Sequence, residues 1–114
     1  MISERIKEVT FITTQLKASF ELLESGTFED KRLFKYINRA REDLLQNPLK
    51  AGTRVKEELI PKDYIKKYGI RALWKYDLPD AWRLLYTIVG NEVKIVSIIL
   101  EWMTHKQYER RFNY

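Results

Sequence analysis

The sequence predicts a single α+β domain spanning residues 1–114. In the expected architecture, an N-terminal strand and a helical hairpin pack on a mostly antiparallel sheet of three or four strands, and a short C-terminal helix follows. Apolar residues recur with helical spacing between residues 14 and 47, which predicts the hairpin. Residues 72–102 alternate, are rich in aromatic side chains and are interrupted by turn signals, which predicts the sheet.

The chain begins with a short strand and a first helix. Residues 6–12 alternate imperfectly and are rich in β-formers, which favours a strand. Leu16, Phe20 and Leu23 then follow at spacings of four and three, which is one face of a helix. Ser25-Gly26 is expected to end that helix.

The second helix carries the strongest helical pattern in the chain. Thr27 and Asp30 have the spacing of a capping box at its start, and Asn47-Pro48 ends it. Its apolar stripe has spacings of four, three and four, at Leu33, Ile37, Ala40 and Leu44. Because only a short turn joins the two helices, they are expected to form an antiparallel hairpin.

Two shorter helices are predicted further along. Residues 49–69 are irregular, but PKDYIKKYG predicts a helix that begins near Pro61 and closes at Gly69. The last helix begins at Thr104, which has capping-box spacing to Gln107, and it reaches about Phe112.

Three strands lie between these helices, at residues 72–78, 82–89 and 93–102. A two-residue loop at Gly90-Asn91 would place Arg83 opposite Ile98 and put Trp102 on the Arg83 face. Lys75 joins that face if the first two of these strands pair. Both faces are largely apolar, so the hairpin covers one, and the last helix, a second copy or a partner protein must cover the other.

The net charge of +5 is concentrated in one segment. Residues 1–49 carry 8 basic and 8 acidic side chains, and residues 77–114 carry 5 of each, whereas residues 50–76 carry 8 basic and 3 acidic ones. Such a block would attract a phosphate backbone or an acidic protein, although a solvated lysine-rich loop has the same composition.

Several protein classes are not expected. The chain has no cysteine and one histidine, so neither a disulfide framework nor a structural zinc site is predicted. Charged residues near the N-terminus argue against a secretory signal, and no apolar run reaches the ~18 residues of a membrane span. A cytoplasmic protein is expected.

The stretches LWKYDL, AWRLLYTIVGNEVKIVSIIL and HKQY resemble the RelE/ParE superfamily of toxins from toxin–antitoxin pairs, in particular its RelE-like branch. The predicted order of strands and helices also agrees with that superfamily. The resemblance covers about the last 45 residues well, and the first 49 agree in pattern.

The resemblance implies ribosome-dependent cleavage of mRNA, in which the RNA's own 2′-hydroxyl attacks the adjacent phosphate without a metal or other cofactor. It also implies an antitoxin protein as partner, with a homodimer or a toxin–antitoxin hetero-oligomer as the assembly. Arg83 would clamp the scissile phosphate, and Lys75 would stabilise charge or transfer a proton. Tyr108 would stack on a base or act in acid–base chemistry. His105 lies one helical turn before Tyr108, so the two share a helical face, and an imidazole is a common proton-transfer group.

The RNA-contacting surface is expected to include seven basic residues: Lys56, Lys62, Lys66, Lys67, Lys106, Arg110 and Arg111. Two positions depart from the RelE-like pattern, because Leu73 and Trp102 stand where cations are usual. Basic residues of the last helix would have to compensate. The alternative is a catalytically weak protein of the same fold that binds RNA or a protein partner, such as an antitoxin or a gyrase-like target.

Each candidate also has a structural interpretation. Arg83 could cover apolar surface with its stem, and Lys75 could simply face solvent. Tyr108 could pack the last helix onto the sheet, and His105 could merely cap or solvate the start of that helix.

Overall fold

The computed structural model describes residues 5–112, which form four α-helices, one short 3-10 helix and a five-stranded mixed sheet. The strands are β1 (Ile6–Phe11), β2 (Thr53–Arg54), β3 (Trp74–Leu78), β4 (Trp82–Gly90) and β5 (Lys94–Thr104). The α-helices are α1 (Thr14–Leu23), α2 (Phe28–Gln46), α3 (Lys62–Tyr68) and α4 (His105–Phe112), and the 3-10 helix is Glu57–Leu59. The α+β class is confirmed.

Side-chain caps fix the starts of α1, α2 and α4. The Thr13 hydroxyl accepts a hydrogen bond from the backbone of Leu16, and Thr27 and Asp30 form the predicted capping box. Thr104 and Gln107 exchange the same pair of hydrogen bonds at the start of α4. Gly69 ends α3 with a φ of 64°, a conformation that glycine adopts without steric cost.

The sheet has the order β1-β5-β4-β3-β2, in which β1 runs parallel to β5 and the other neighbours are antiparallel. The expectation of three or four strands was therefore wrong. The additional strand is β2, which pairs only Thr53 with Lys75 and Arg54 with Trp74. Two residues are too few for an alternating pattern to reveal a strand.

The register of the β4–β5 hairpin also differs from the predicted one. The Asn91 side chain accepts hydrogen bonds from the backbones of Val93 and Lys94, which stabilises a longer loop and pairs Gly90 with Ile95. A further shift between Leu85 and Tyr86 is a β-bulge.

The bulge decides which side chains of β5 share a face with Arg83. Arg83 is paired with Met103, and Trp102 is paired with Leu84. The predictions that Arg83 lies opposite Ile98 and that Trp102 shares its face were therefore wrong.

Both faces of the sheet are covered. The hairpin of α1 and α2 buries one face, and its predicted stripe contributes Leu33, Ile37, Ala40 and Leu44 to that core. The other face is covered by α3, α4 and the irregular chain around them. The buried residues of this second core are Val55, Ile60, Tyr64, Ile70, Leu73, Leu85, Leu100, Met103, Tyr108 and Phe112. Of the three elements predicted to cover this face, the structure shows the last helix, α4. Residues 55–73 cover a further part of the same face.

Candidate functional site

Arg83 is the centre of a polar cluster on the second face of the sheet. Its side chain is only 15% exposed, and its Nη1 donates to the carbonyl of the preceding residue at 3.1 Å. Nη2 lies 2.8 Å from Nδ1 of His105. Nε lies 3.0 Å from Oδ1 of Asp77 and forms an ion pair with it rather than a directed hydrogen bond. The guanidinium is thus held by groups from β3, β4 and α4.

His105 is the first residue of α4, and three contacts fix it. Its backbone N–H donates to the carbonyl of Ala81 at 2.7 Å. A guanidinium has only donors, so Nδ1 of the neutral ring accepts from Arg83 and the ring proton is on Nε2. Nε2 lies 3.1 Å from Oε1 of Glu109, one turn further along the helix. Glu109 therefore holds the protonated nitrogen, and Arg83 occupies the basic one.

Lys75 approaches the same cluster from β3. Its Nζ lies 3.3 Å from Oδ1 of Asp77, and its side chain is 24% exposed. Asp77 faces Arg83 across the β3–β4 pair, so one carboxylate is shared by two cations. The Asp77 side chain is 60% exposed, so it is the solvent-facing member of this cluster, whereas the two cations are 24% and 15% exposed.

Tyr108 lies under this cluster. Its side chain is 2% exposed, and its ring stacks on Phe112 with 4.3 Å between the centroids. Nζ of Lys75 lies 5.7 Å from the centroid of the Tyr108 ring, a cation–π contact. The four candidates Lys75, Arg83, His105 and Tyr108 therefore come together, but Tyr108 belongs to the core.

Sequence reasoning missed Asp77 and Glu109. Each had a local signal. Asp77 has the strand parity of Lys75, which places both on one face of β3. Glu109 is four residues after His105, the spacing of neighbours on a helix surface.

The seven basic residues expected to contact RNA are all exposed. Contacts of Arg111 and Phe112 with α3 link the two helices that carry six of them. Nη2 of Arg111 lies 2.8 Å from Oδ2 of Asp63, and its guanidinium lies over the Tyr64 ring at 4.9 Å from the centroid. Tyr64 in turn meets Phe112 edge-on. We call these seven residues the basic surface.

A groove of about 450 Å³ lies beside α4, lined by Glu101, Trp102, Met103, Gln107, Arg110 and Arg111. Two cations of the basic surface, Arg110 and Arg111, therefore line this groove together with Trp102. That they compensate for the cations missing at Leu73 and Trp102 stays a prediction. The Glu101 carboxylate accepts a hydrogen bond from the Tyr64 hydroxyl. Burial and this hydrogen bond raise the pKa of Tyr64.

Among residues 5–112, no three His, Asp or Glu side chains form a group that could hold a metal ion. No helix in this part of the chain is both long enough and apolar enough to cross a bilayer. No family model, curated protein or solved structure was found to match this chain. The case for a function therefore rests on the arrangement of side chains around Arg83.

Proposed function

We propose that the protein is a RelE-like toxin of a toxin–antitoxin pair, an endoribonuclease that cleaves mRNA on the ribosome. The observation that carries the proposal is the pairing of two cations, Lys75 and Arg83, on one exposed carboxylate, directly beside the His105 imidazole. Two fixed cations and a proton acceptor are what the attack of a 2′-hydroxyl on a phosphodiester requires.

In the proposed mechanism, the scissile phosphate displaces Asp77 from the two cations. Both are anions, and a guanidinium can bind two phosphate oxygens at once. Arg83 and Lys75 then stabilise the charge that develops on the phosphorane. Because the cluster is held from three elements, the two cations are already close together before the phosphate binds.

The proton transfers follow from the contacts of His105. When Arg83 turns to the phosphate, Nδ1 of His105 is released and takes the proton of the attacking 2′-hydroxyl. Glu109, on Nε2, stabilises the imidazolium that results. The 2′-oxygen bonds to phosphorus, the bond from phosphorus to the 5′-oxygen breaks, and the Lys75 ammonium protonates that leaving oxygen. The products carry a 2′,3′-cyclic phosphate and a 5′-hydroxyl.

The test is mRNA cleavage on purified ribosomes, with the new 5′ ends mapped and their hydroxyl character checked by labelling with a kinase. Arg83→Ala should slow cleavage by roughly 10²–10³-fold, the effect of removing one donor to a developing oxyanion. Lys35→Ala is the matched control, because Lys35 is an exposed cation on α2, which packs on the opposite face of the sheet. A wild-type protein that leaves mRNA intact, or undiminished cleavage by Arg83→Ala, would contradict the proposal.

The second candidate is a protein of this fold that binds RNA or a protein partner without cleaving. It is favoured by Leu73, which is 0% exposed, and by the buried Tyr108, because both belong to the second core. The two positions that would supply a further cation and a base-stacking ring therefore serve packing. Binding of RNA that is never cut, on ribosomes or off them, would select this alternative.

A further inference from the structure

The turn between β3 and β4 has an unfavourable backbone conformation. Asp80 and Ala81 both have a φ of 60°, the positive values that the two central residues of a type I′ hairpin turn adopt. Glycine, asparagine or aspartate usually occupies such positions, because a Cβ atom is crowded there and a short polar side chain offsets part of the cost. Ala81 has a Cβ and no polar group to offset the crowding.

This turn makes the backbone contact that begins α4. The Ala81 carbonyl accepts the hydrogen bond from the backbone N–H of His105. The next residue, Trp82, accepts a hydrogen bond from Nη1 of Arg83 through its carbonyl. Two consecutive carbonyls at the end of the turn therefore hold the two residues whose side chains meet in the candidate site.

A side-chain network fixes the turn to α2. The Asp80 carboxylate accepts hydrogen bonds from Nη2 of Arg32 at 2.6 Å and from the Tyr36 hydroxyl at 2.8 Å. Arg32 also donates to the Tyr36 hydroxyl, so the three groups are mutually bonded. A surface network of this kind selects one geometry because each bond restricts the others.

We infer that Asp80 and Ala81 are positioning residues, which hold the His105 imidazole on the Arg83 guanidinium through the strained turn and its Arg32–Tyr36 tether. Neither residue touches the proposed reacting atoms. The backbone strain is the cost of presenting the Ala81 carbonyl at the first turn of α4. The catalytic consequence rests on the proposed function, whereas the geometric consequence does not.

The experiment uses the fact that His105 is the only histidine in the chain. Its ring nitrogens can be observed by ¹⁵N magnetic resonance without assignment. The wild type should show one neutral tautomer with a hydrogen-bonded Nδ1. In Asp80→Ala, which removes the tether, and in Ala81→Val, whose branched Cβ disfavours a φ of 60°, the ¹⁵N chemical shifts of the ring should move toward those of a solvated histidine.

Ribosomal mRNA cleavage by the same variants should fall roughly tenfold to a hundredfold, the effect of a small misplacement of a catalytic group. Lys31→Ala, an exposed change on α2 outside the tether, should alter neither measurement. Tyr36→Phe provides a milder change should Asp80→Ala fail to fold.

Imidazole spectra that stay unchanged in Ala81→Val and in the tether variants would overturn the inference, whatever the activity. Spectra that shift, in a protein whose wild type cleaves nothing, would uphold the positioning and count against the proposed function.

Discussion

The basic surface should make RNA binding salt-dependent to a degree that the structure sets. It holds seven cations, and one of them, Arg111, is paired with Asp63. The other six form no ion pair among residues 5–112. Each contact with a single-stranded phosphate contributes about −0.7 to the slope of log K against log salt, so six contacts give about −4. Affinity should then fall roughly 300-fold between about 50 and 200 mM salt.

The perturbation is the double change Lys62→Ala with Lys66→Ala, two exposed lysines one turn apart on α3. Loss of two phosphate contacts should reduce the slope by about 1.4. The matched control is Lys31→Ala with Lys35→Ala, which has the same spacing and charge change on α2. The assay is fluorescence anisotropy of a labelled RNA whose 2′-hydroxyls are methylated, so that it cannot be cut by 2′-attack.

Two results would refute the reasoning. Equal reductions of the slope by the α3 pair and the α2 pair would show that RNA is not bound by the basic surface. A slope near zero for the wild type would show that the protein neutralises no phosphates at all, and an acidic protein partner would then become the better explanation of the charge.

Three further predictions concern the site and its frame. Asp77→Asn should tighten binding of the methylated RNA about fivefold, because the two ion pairs of the exposed Asp77 carboxylate, worth up to about 1 kcal/mol in total, no longer compete with phosphate. Weaker binding would contradict the displacement step. Gly52→Ala should lower the free energy of unfolding in urea by about 3 kcal/mol, because the new Cβ would lie 2.2 Å from the Tyr86 hydroxyl. Gly69→Ala should lower it by only about 1 kcal/mol, because that Cβ meets open space and only the φ of 64° is unfavourable. Equal losses in the two variants would contradict the steric argument. Burial raises the pKa of Tyr86 to about 12, so as the pH rises the unfolded chain loses the phenolic proton first. The free energy of unfolding should therefore fall between about pH 10 and 12, and urea unfolding at pH 9 and at pH 11 measures that fall.

The parts of the fold that were predictable are those fixed by neighbours in sequence. The α2 stripe and the Thr27–Asp30 capping box depend on contacts three or four residues apart, so a spacing rule finds them. The face shared by Lys75 and Arg83 also followed, since parity within a strand and one strand pairing are enough.

The parts that were not predictable depend on distant contacts or on single side chains. Nothing in residues 53–54 distinguishes a strand from a loop until β3 lies beside them. The residue types Gly90-Asn91 favour a two-residue turn. The longer loop forms instead because the Asn91 side chain accepts two backbone hydrogen bonds. The contact of Asp77 with Arg83 needs the register as well as the parity.

The β-bulge connects these errors to the candidate site. Without the shift between Leu85 and Tyr86, the side chains of β5 beyond Ile99 would exchange faces, and Trp102 would lie on the Arg83 face. An indole there would compete with α4 for the space above β4. With the shift, Met103 lies opposite Arg83, and the nitrogen beside the guanidinium comes from His105. The bulge thus sets the face of β5, the Thr104–Gln107 cap starts α4, and the Ala81 carbonyl holds the backbone of His105, so that Arg83 meets an imidazole.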